Sequence, residues 1–321
     1  MPAIVCMGEI LIDMLSSDQG KNWSDVATFH RHMGGAPANV AVNASRLGSD
    51  VAFVGCVGAD PFGAFLMETL AEHAVDISHM KQSSDARTTL AFAKVDADGE
   101  ASYVFFRHPG ADMMLTAGDL DEQVIAQARM LHLGTFSLSQ EPFRSAQMRA
   151  IELAEQHGIA ISCDINFRGS VWNSESDARE QCFTMLEHSH IVKLTEIELR
   201  FLAGVTDLTE GAMRIWRNAT KLVVVTLGER GCFFRSAQGV GFVHGYKVAV
   251  GDLVGAGDGF MAGMLHYLSR SAHTHVLDDL LPSTIGALLA RANAVAAIVV
   301  TEVGAVPRDL NSDRVECIVR G

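Results

Sequence analysis

Short, continuously apolar runs alternate with longer helical patterns along most of this chain. An apolar run without polar alternation is typical of a strand that is buried on both faces. Strands that alternate with helices predict a mostly parallel sheet with helices on both sides. The predicted strands cover residues 4–7, 51–57, 130–133, 159–163, 191–194 and 222–226, and the predicted helices cover 37–47, 62–73, 143–157, 178–188 and 210–219.

Two segments, residues 14–33 and 88–112, interrupt this alternation. The second segment has strand-like runs on either side of Asp98-Gly99, a dipeptide that favours a tight hairpin turn. We expect the two segments to form a small strand-built flap outside the main sheet, and an ordinary edge hairpin with a surface loop is the alternative. Neither a repeat nor a low-complexity linker divides the 321 residues, which predicts a single domain over 1–321.

The composition limits the class of protein. A hydrophobic content of 48% with 20% charged residues is typical of a globular protein with a sizeable core. A net charge of −13 argues against nucleic acid or an anionic membrane as the main partner. The cysteines form no C-x-x-C pair, which favours reduced thiols in the cytoplasm over disulfides or a zinc site. We expect neither a signal peptide nor an apolar stretch of membrane-spanning length, and we interpret the His-rich loop at 271–275 as solvated surface.

A glycine-rich stretch at residues 251–263 has the sequence GDLVGAGDGFMAG. Its Gly-Ala-Gly turn directly precedes Asp258 at the expected start of a helix. Gly255 and Gly257 allow a tight backbone whose amide hydrogens stay uncovered, and the first amides of a helix attract anions. A carboxylate beside a bound phosphate suits a base that takes a proton from an attacking hydroxyl. A glycine-rich loop that Asp258 caps, with no catalytic role, is the alternative.

A second glycine cluster, GGAPANVA at residues 34–41, leads into another predicted helix. Gly34 and Gly35 allow close backbone approach, and the Asn39 amide offers a donor and an acceptor to a hydroxylated ligand. A simple helix cap is the alternative. The chain contains neither the P-loop pattern nor a G-x-G-x-x-G after the first strand, so the turn at 255–258 must handle any bound phosphate.

Residues 34–60 and 252–265 resemble, in the expected order, the two signature regions of the ribokinase-like, or PfkB-type, carbohydrate kinases. The segments GEILID (8–13), DINFR (164–168), TLGERG (226–231) and ANAVA (292–296) resemble further parts of that family. The resemblance implies a three-layer α/β/α sandwich with a mainly parallel central sheet. It also implies a small β-strand lid, to which the segments 14–33 and 88–112 correspond. The implied reaction transfers the γ-phosphoryl group of ATP to a sugar hydroxyl with Mg²⁺.

The resemblance further implies roles for individual residues, and for most of them a cap, an ion pair or an exposed helix face is the structural alternative. Asp258 is implied as the base, and the amides around it as the stabiliser of phosphoryl charge. The implied catalytic residues are Asp258, Gly255, Ala256, Gly257 and Arg168. The implied substrate-binding residues are Asp13, Gly34, Gly35, Asn39, Arg107 and Asp258. The implied nucleotide-binding residues are Lys193, Thr226, Gly228, Gly231, Gly257 and Asn293, and the implied metal-binding residues are Glu198 and Asp252.

The sequence departs from the family pattern in three places, which together involve four residues. Thr195 stands where many relatives carry Asn. Leu253 and Val254 replace two threonines before the glycine turn, which leaves a potassium site beside Asp252 open to question. Gly259 replaces a common Ala after the implied base, a change that costs helix propensity without altering the chemistry.

Fructokinase is the leading functional hypothesis within this resemblance. It depends on the segments D-x-N-x-R (164–168), F-x-R-x-x-x-A-D (105–112) and K-L-T-x-x-E (193–198). The alternatives are a kinase of ribose, nucleosides, 2-keto-3-deoxygluconate or aminoimidazole riboside, and, less favoured, a sugar-binding regulator without catalysis. A nicotinamide-dependent oxidoreductase is disfavoured. We expect a homodimer through the lid if Phe92, Tyr103 and Phe105 face outward.

Overall fold

The computed structural model describes residues 1–18, 20–95, 101–270 and 276–321. The expected hairpin turn at Asp98-Gly99 and the His-rich loop at 271–275 lie outside the described residues. The strands are β1 (Ile4–Met7), β2 (Leu11–Ser16), β3 (Phe29–Gly34), β4 (Val51–Val54), β5 (Cys56–Gly58), β6 (Lys81–Ser83), β7 (Leu90–Val95), β8 (Ala101–Phe106), β9 (Met130–Gly134), β10 (Ala160–Asp164), β11 (Ile191–Thr195), β12 (Leu222–Thr226), β13 (Cys232–Ser236) and β14 (Gly239–Val243). The helices are α1 (Ala36–Arg46), α2 (Pro61–Glu72), α3 (Glu122–Ala126), α4 (Phe143–Gln156), α5 (Glu175–His188), α6 (Glu196–Ala203), α7 (Leu208–Ile215), α8 (Ala256–Ser269), α9 (Val276–Asp279), α10 (Pro282–Val299) and α11 (Ser312–Arg320).

Eight strands form the central sheet in the order β14-β13-β12-β11-β10-β9-β1-β4. The six strands from β12 to β4 run parallel, and β13 and β14 extend the sheet in antiparallel fashion. Every residue of β1, β9 and β10 is buried, which explains their largely apolar sequences. The predicted mainly parallel sheet is therefore confirmed. Its parallel strands end at one common edge, where the loops that follow them meet.

Helices cover both faces of this sheet. Successive residues of a strand point to opposite faces, so Val5 and Met7 enter one core and Ile4 and Cys6 enter the other. Helices α3 to α7 pack on the first face, and α1, α2, α8, α9 and α10 pack on the second. This arrangement confirms the expected three layers.

A smaller sheet, which we call the lid, has the order β3-β2-β7-β8. It starts at Leu11, before the expected residue 14, because β2 pairs with β3 along its whole length. The alternation along β8 puts Tyr103 and Phe105 on the inner face, and leaves Val104 and Phe106 exposed on the outer face. The premise that Tyr103 and Phe105 face outward is therefore wrong, although the outer face is still apolar.

Three further expectations need correction. The strand expected at 51–57 divides into β4 and β5, because β5 leaves the central sheet and pairs with β6. The helix expected at 210–219 starts and ends earlier, since the Asp207 carboxylate caps it by accepting the Glu210 N–H at 2.7 Å. Helix α10 is apolar and long enough to cross a membrane, contrary to expectation, but half of it is buried in the protein core.

Candidate active site

A cavity of about 290 Å³ lies between the common strand edge of the central sheet and the lid. Its walls come from the lid, from the loops after β1, β10 and β11, and from the start of α8. Residues that are far apart in sequence therefore meet in one space. Of the predicted site residues, the cavity is lined by Asp13, Gly35, Asn39, Arg168, Lys193, Glu198, Gly255, Ala256, Gly257 and Asp258.

The start of α8 forms an anion-binding end of the cavity. Gly255 has the left-handed φ of 78°, and a Cβ there would lie 2.4 Å from Ala305, so only glycine fits. The Ala256 amide donates to the Leu253 carbonyl at 3.3 Å. The next two amides, of Gly257 and Asp258, have no hydrogen-bond partner in the described part of the chain and remain available to phosphate oxygens.

Asp258 has the properties of a general base. Its Oδ2 accepts a hydrogen bond from Asn39 Nδ2 at 2.8 Å. Burial raises the pKa of Asp258 to about 6; Asp164 also raises it, whereas the Asn39 hydrogen bond and the charges of Lys193 and Arg168 lower it. A carboxyl group with this pKa is still mostly ionised at neutral pH, and it accepts a proton more readily than an ordinary aspartate does.

The lid side of the cavity is built around Asp13 on β2. A Cβ on Gly34 would lie 2.2 Å from Asp13 Oδ2, so this glycine makes room for the carboxylate. Gly35 has φ of 99°, and a Cβ there would meet the Glu9 carbonyl at 2.4 Å. Burial raises the pKa of Asp13 to about 7, with further increases from Asp258 and Asp252. Two carboxyl groups that face one small space suit a ligand with several hydroxyl donors.

Several residues that line the cavity were not predicted as site residues. Glu9 accepts hydrogen bonds from the Ala36 amide at 3.2 Å and the Ser137 hydroxyl at 3.0 Å, and burial raises its pKa to about 7. The rings of Tyr103, Phe105 and Phe136 form one wall, with successive centroids 6.1 and 5.6 Å apart. The alternation along β8 was the available signal, but it cannot tell which face of the lid is the inner one.

Lys193 and Glu198 lie at the end of the cavity close to α8. Lys193 Nζ is 2.9 Å from Asp164 Oδ2, and both side chains are buried. The two oxygens of Glu198 accept the amides of Phe167 and Thr195, each at 2.7 Å. Thr195 and Glu198 thereby form a capping box at the start of α6.

Arg107 lies behind the aromatic wall and does not line the cavity. Its Nε donates to Asp112 Oδ2 at 2.7 Å, its Nη1 donates to Ser139 at 3.0 Å, and its guanidinium group lies 4.4 Å from the Phe136 ring centroid. The structure thus places Arg107 in the buried ion pair that was the alternative to sugar binding.

Other predicted residues surround the cavity without lining it. Asp252 accepts the amides of Val254 at 3.1 Å and Gly304 at 3.0 Å, and thereby shapes the loop before α8. Asn293 donates to the carbonyls of Val243 and His244 and ties α10 to the end of β14. The remaining members of this set are Gly34, Thr226, Gly228 and Gly231.

Comparison with known proteins shows the family of this chain. Residues 1–311 match the pfkB family carbohydrate kinase profile. Fructokinase-1 of Zea mays is 39% identical over 305 residues, which cover 95% of this chain and 93% of that protein. Probable fructokinase-7 of Arabidopsis thaliana is 39% identical over 316 residues, which cover 98% of this chain and 91% of that protein.

Solved structures show the same fold. The crystal structure of Xylella fastidiosa fructokinase with bound ATP gives a TM-score of 0.90 at 30% identity, and covers 100% of this chain and 99% of that one. The crystal structure of Vibrio cholerae fructokinase, bound to fructose, ADP and calcium ion, gives a TM-score of 0.85 at 30% identity, and the match covers 99% of each chain. The family resemblance of the sequence is confirmed. This chain belongs to the pfkB family of carbohydrate kinases and is an ATP-dependent sugar kinase.

Proposed function

We propose that the protein is a fructokinase, which transfers the γ-phosphoryl group of ATP to the 6-hydroxyl of fructose. The observation that carries this proposal is the position of Asp258. Its carboxylate contacts Asn39 on the sugar side and belongs to the helix turn whose amides face the phosphate side. The relatives named fructokinase, at 37–39% identity, support fructose over the other sugars considered.

In this reaction, different residues of the cavity bind the sugar, accept the proton and stabilise the phosphoryl charge. Asp13, the Gly35 backbone and Asn39 orient the sugar through its hydroxyls. Asp258 accepts the proton of the attacking hydroxyl, whose oxygen bonds to phosphorus as the bond to the departing ADP oxygen breaks. The free amides at the start of α8 and the cations of Lys193 and Arg168 stabilise the negative charge on the phosphoryl oxygens.

The phosphate side of the cavity fits Mg²⁺ bound mainly through the nucleotide. The described residues hold no cluster of three or more metal-ligating side chains. Magnesium keeps several waters and needs few carboxylates, so Glu198, which lines the cavity, is a sufficient protein contribution. When bound, the ion neutralises phosphate charge.

We propose a potassium site beside Asp252, to be tested by comparing turnover in potassium and choline chloride.

The proposed setting is a cytoplasmic homodimer that associates through the lid. The exposed Val104 and Phe106 give the outer lid face an apolar character, which supports pairing with a second copy. All six cysteines are free thiols, which agrees with a reducing compartment.

ADP release with ATP and Mg²⁺ tests the function over fructose, ribose, 2-keto-3-deoxygluconate, a nucleoside and aminoimidazole riboside. We expect turnover with fructose that is lost in Asp258→Asn. Turnover with a different sugar alone would replace the substrate and keep the reaction. No ADP release with any acceptor, together with a sugar-dependent rise in melting temperature, would instead identify a sugar-binding regulator.

A further inference from the structure

Asp164 and Lys193 form a buried ion pair beneath the phosphate side of the cavity. They are direct neighbours on β10 and β11, with Nζ and Oδ2 2.9 Å apart and side-chain exposures of 4% and 2%. Desolvation makes such a pair a weak source of stability, because apolar residues of similar volume often serve as well. A buried pair at the edge of a cavity therefore calls for another explanation.

The ammonium of Lys193 lies against the first turn of α8. A Cβ added to Gly257 would lie 2.8 Å from Lys193 Nζ, and both residues line the cavity. Burial alone would lower the pKa of Lys193, but the carboxylates of Asp164, Glu198 and Asp258 raise it above its usual value, so the group is charged.

An ammonium group has three N–H donors. Asp164 takes one of them, and the part of the chain that the structure describes offers Lys193 Nζ no second acceptor. The remaining donors lie beside the free amides of Gly257 and Asp258, where phosphate oxygens are expected. This places a fixed cation where charge accumulates during transfer.

We propose that Asp164 is a positioning residue: its carboxylate fixes the Lys193 ammonium against the start of α8, where the ammonium binds the transferred phosphoryl group. This inference rests on the proposed function. Lys193 acts on the phosphoryl oxygens directly, whereas Asp164 acts through Lys193 and touches neither substrate.

The pair also sets the proton affinity of the base. The charged groups that face Asp258 are Asp13 on β2, Asp164 on β10, Lys193 on β11 and Arg168 after β10, together with the neutral amide of Asn39 on α1. Removing the negative charge of Asp164 leaves Lys193 unopposed and lowers the pKa of Asp258. Removing the positive charge of Lys193 raises it. The two single variants therefore have opposite effects on the acid limb of activity.

The experiment measures kcat, KM for sugar and ATP, and the pH profile of kcat/KM for Asp164→Asn and Lys193→Met. We expect kcat to fall about 10- to 100-fold in both variants, with little change in KM for the sugar. The acid limb should move to lower pH in Asp164→Asn and to higher pH in Lys193→Met, by about 0.5–1 pH unit each. Calorimetric titration with a non-hydrolysable ATP analogue should show weaker binding in both.

Asp112→Asn is the matched control, because it breaks another buried ion pair whose members are not among the groups that shift the pKa of Asp258 most. Its acid limb should stay in place whatever it does to stability. If a single variant does not fold, the double variant Asp164→Asn/Lys193→Met removes both charges, and should keep the wild-type acid limb with the low kcat. Acid limbs that do not move, or move together, in an active wild-type background overturn the inference. An inactive wild-type enzyme would overturn the proposed function instead.

Discussion

At the residue scale, three carboxyl groups of the cavity share an environment that disfavours their charge. Burial raises the pKa of Glu9 and Asp13 to about 7 and that of Asp258 to about 6. A carboxyl whose folded-state pKa is raised stabilises the fold only while it is protonated, so its contribution is lost as pH rises through the folded value. Ionisation of these three carboxyl groups at neutral pH therefore lowers the stability of the folded protein.

The first prediction concerns the base. Asp258→Asn should reduce kcat about 10²- to 10⁴-fold, because an amide cannot accept the proton of the sugar hydroxyl. In the wild-type enzyme, kcat/KM should fall as pH falls from about 7 to about 6, since Asp13 and Asp258 become protonated together. Steady-state ADP release across pH 5–9 measures both effects. A flat profile over that range would contradict the role of these carboxylates.

The second prediction concerns stability. Asp13→Asn should raise the free energy of unfolding of the ligand-free protein by about 1–3 kcal/mol at pH 8, because it removes a buried charge. The gain should shrink toward pH 4, where the wild-type Asp13 is neutral as well. Chemical denaturation at the two pH values tests this.

Asp60→Asn is the control of opposite sign for that measurement. Although burial opposes it, hydrogen bonds from Thr88, Gly63 and Phe62 lower the pKa of Asp60. Its replacement should cost stability at pH 8. A higher free energy of unfolding in both variants would point to a general effect of removing negative charge. It would contradict the prediction that burial of the Asp13 charge is the cause.

At the element scale, the first turn of α8 combines a glycine that the backbone requires with a glycine that the site requires. Gly255 needs its left-handed φ, whereas Gly257 is helical and leaves space for Lys193 Nζ. The sequence identified the turn and its anion-binding amides from glycine spacing alone. It did not identify the reason for Gly257, because Lys193 comes from another strand.

The third prediction separates these two glycine roles. Gly257→Ala should lower kcat at least about 10-fold, because the new methyl group displaces the Lys193 ammonium. Gly286→Ala in α10 is the matched control for Gly257→Ala, since a Cβ at Gly286 meets no atom within 4 Å. It should stabilise the protein by about 0.5–1 kcal/mol and leave kcat unchanged. Equal kcat values for the two variants would contradict the role of Gly257.

At the scale of the whole molecule, the lid covers the sugar side of the cavity and presents an apolar outer face. Phe92 makes edge-on contacts with Phe29 and Phe106 on that face, at centroid distances of 5.0 and 5.4 Å. The Phe106 residue is 63% exposed. If the proposed homodimer forms through this exposed aromatic cluster, association of two copies and substrate binding involve the same sheet.

The fourth prediction tests that association. Phe106→Asp should convert the proposed homodimer into a monomer and raise KM for the sugar, because the unsupported lid covers the cavity less firmly. Met213→Asp on α7 is the control, since Met213 is similarly exposed at 58% but lies far from the lid in the fold. Sedimentation velocity gives the oligomeric state. A monomeric wild-type protein, or a dimer that survives Phe106→Asp, would contradict a lid-mediated dimer.

The sequence by itself determined the layers of the fold and the two glycine-rich segments of the site. Period and glycine spacing are local properties, so they identify the buried strands and the α8 turn that carries Asp258 without knowledge of distant contacts. Tertiary structure decided which lid face points inward, that Arg107 pairs with Asp112, and that Asp164 holds Lys193. Those outcomes depend on strand register and on charges brought together from separate elements, neither of which is encoded in any short segment.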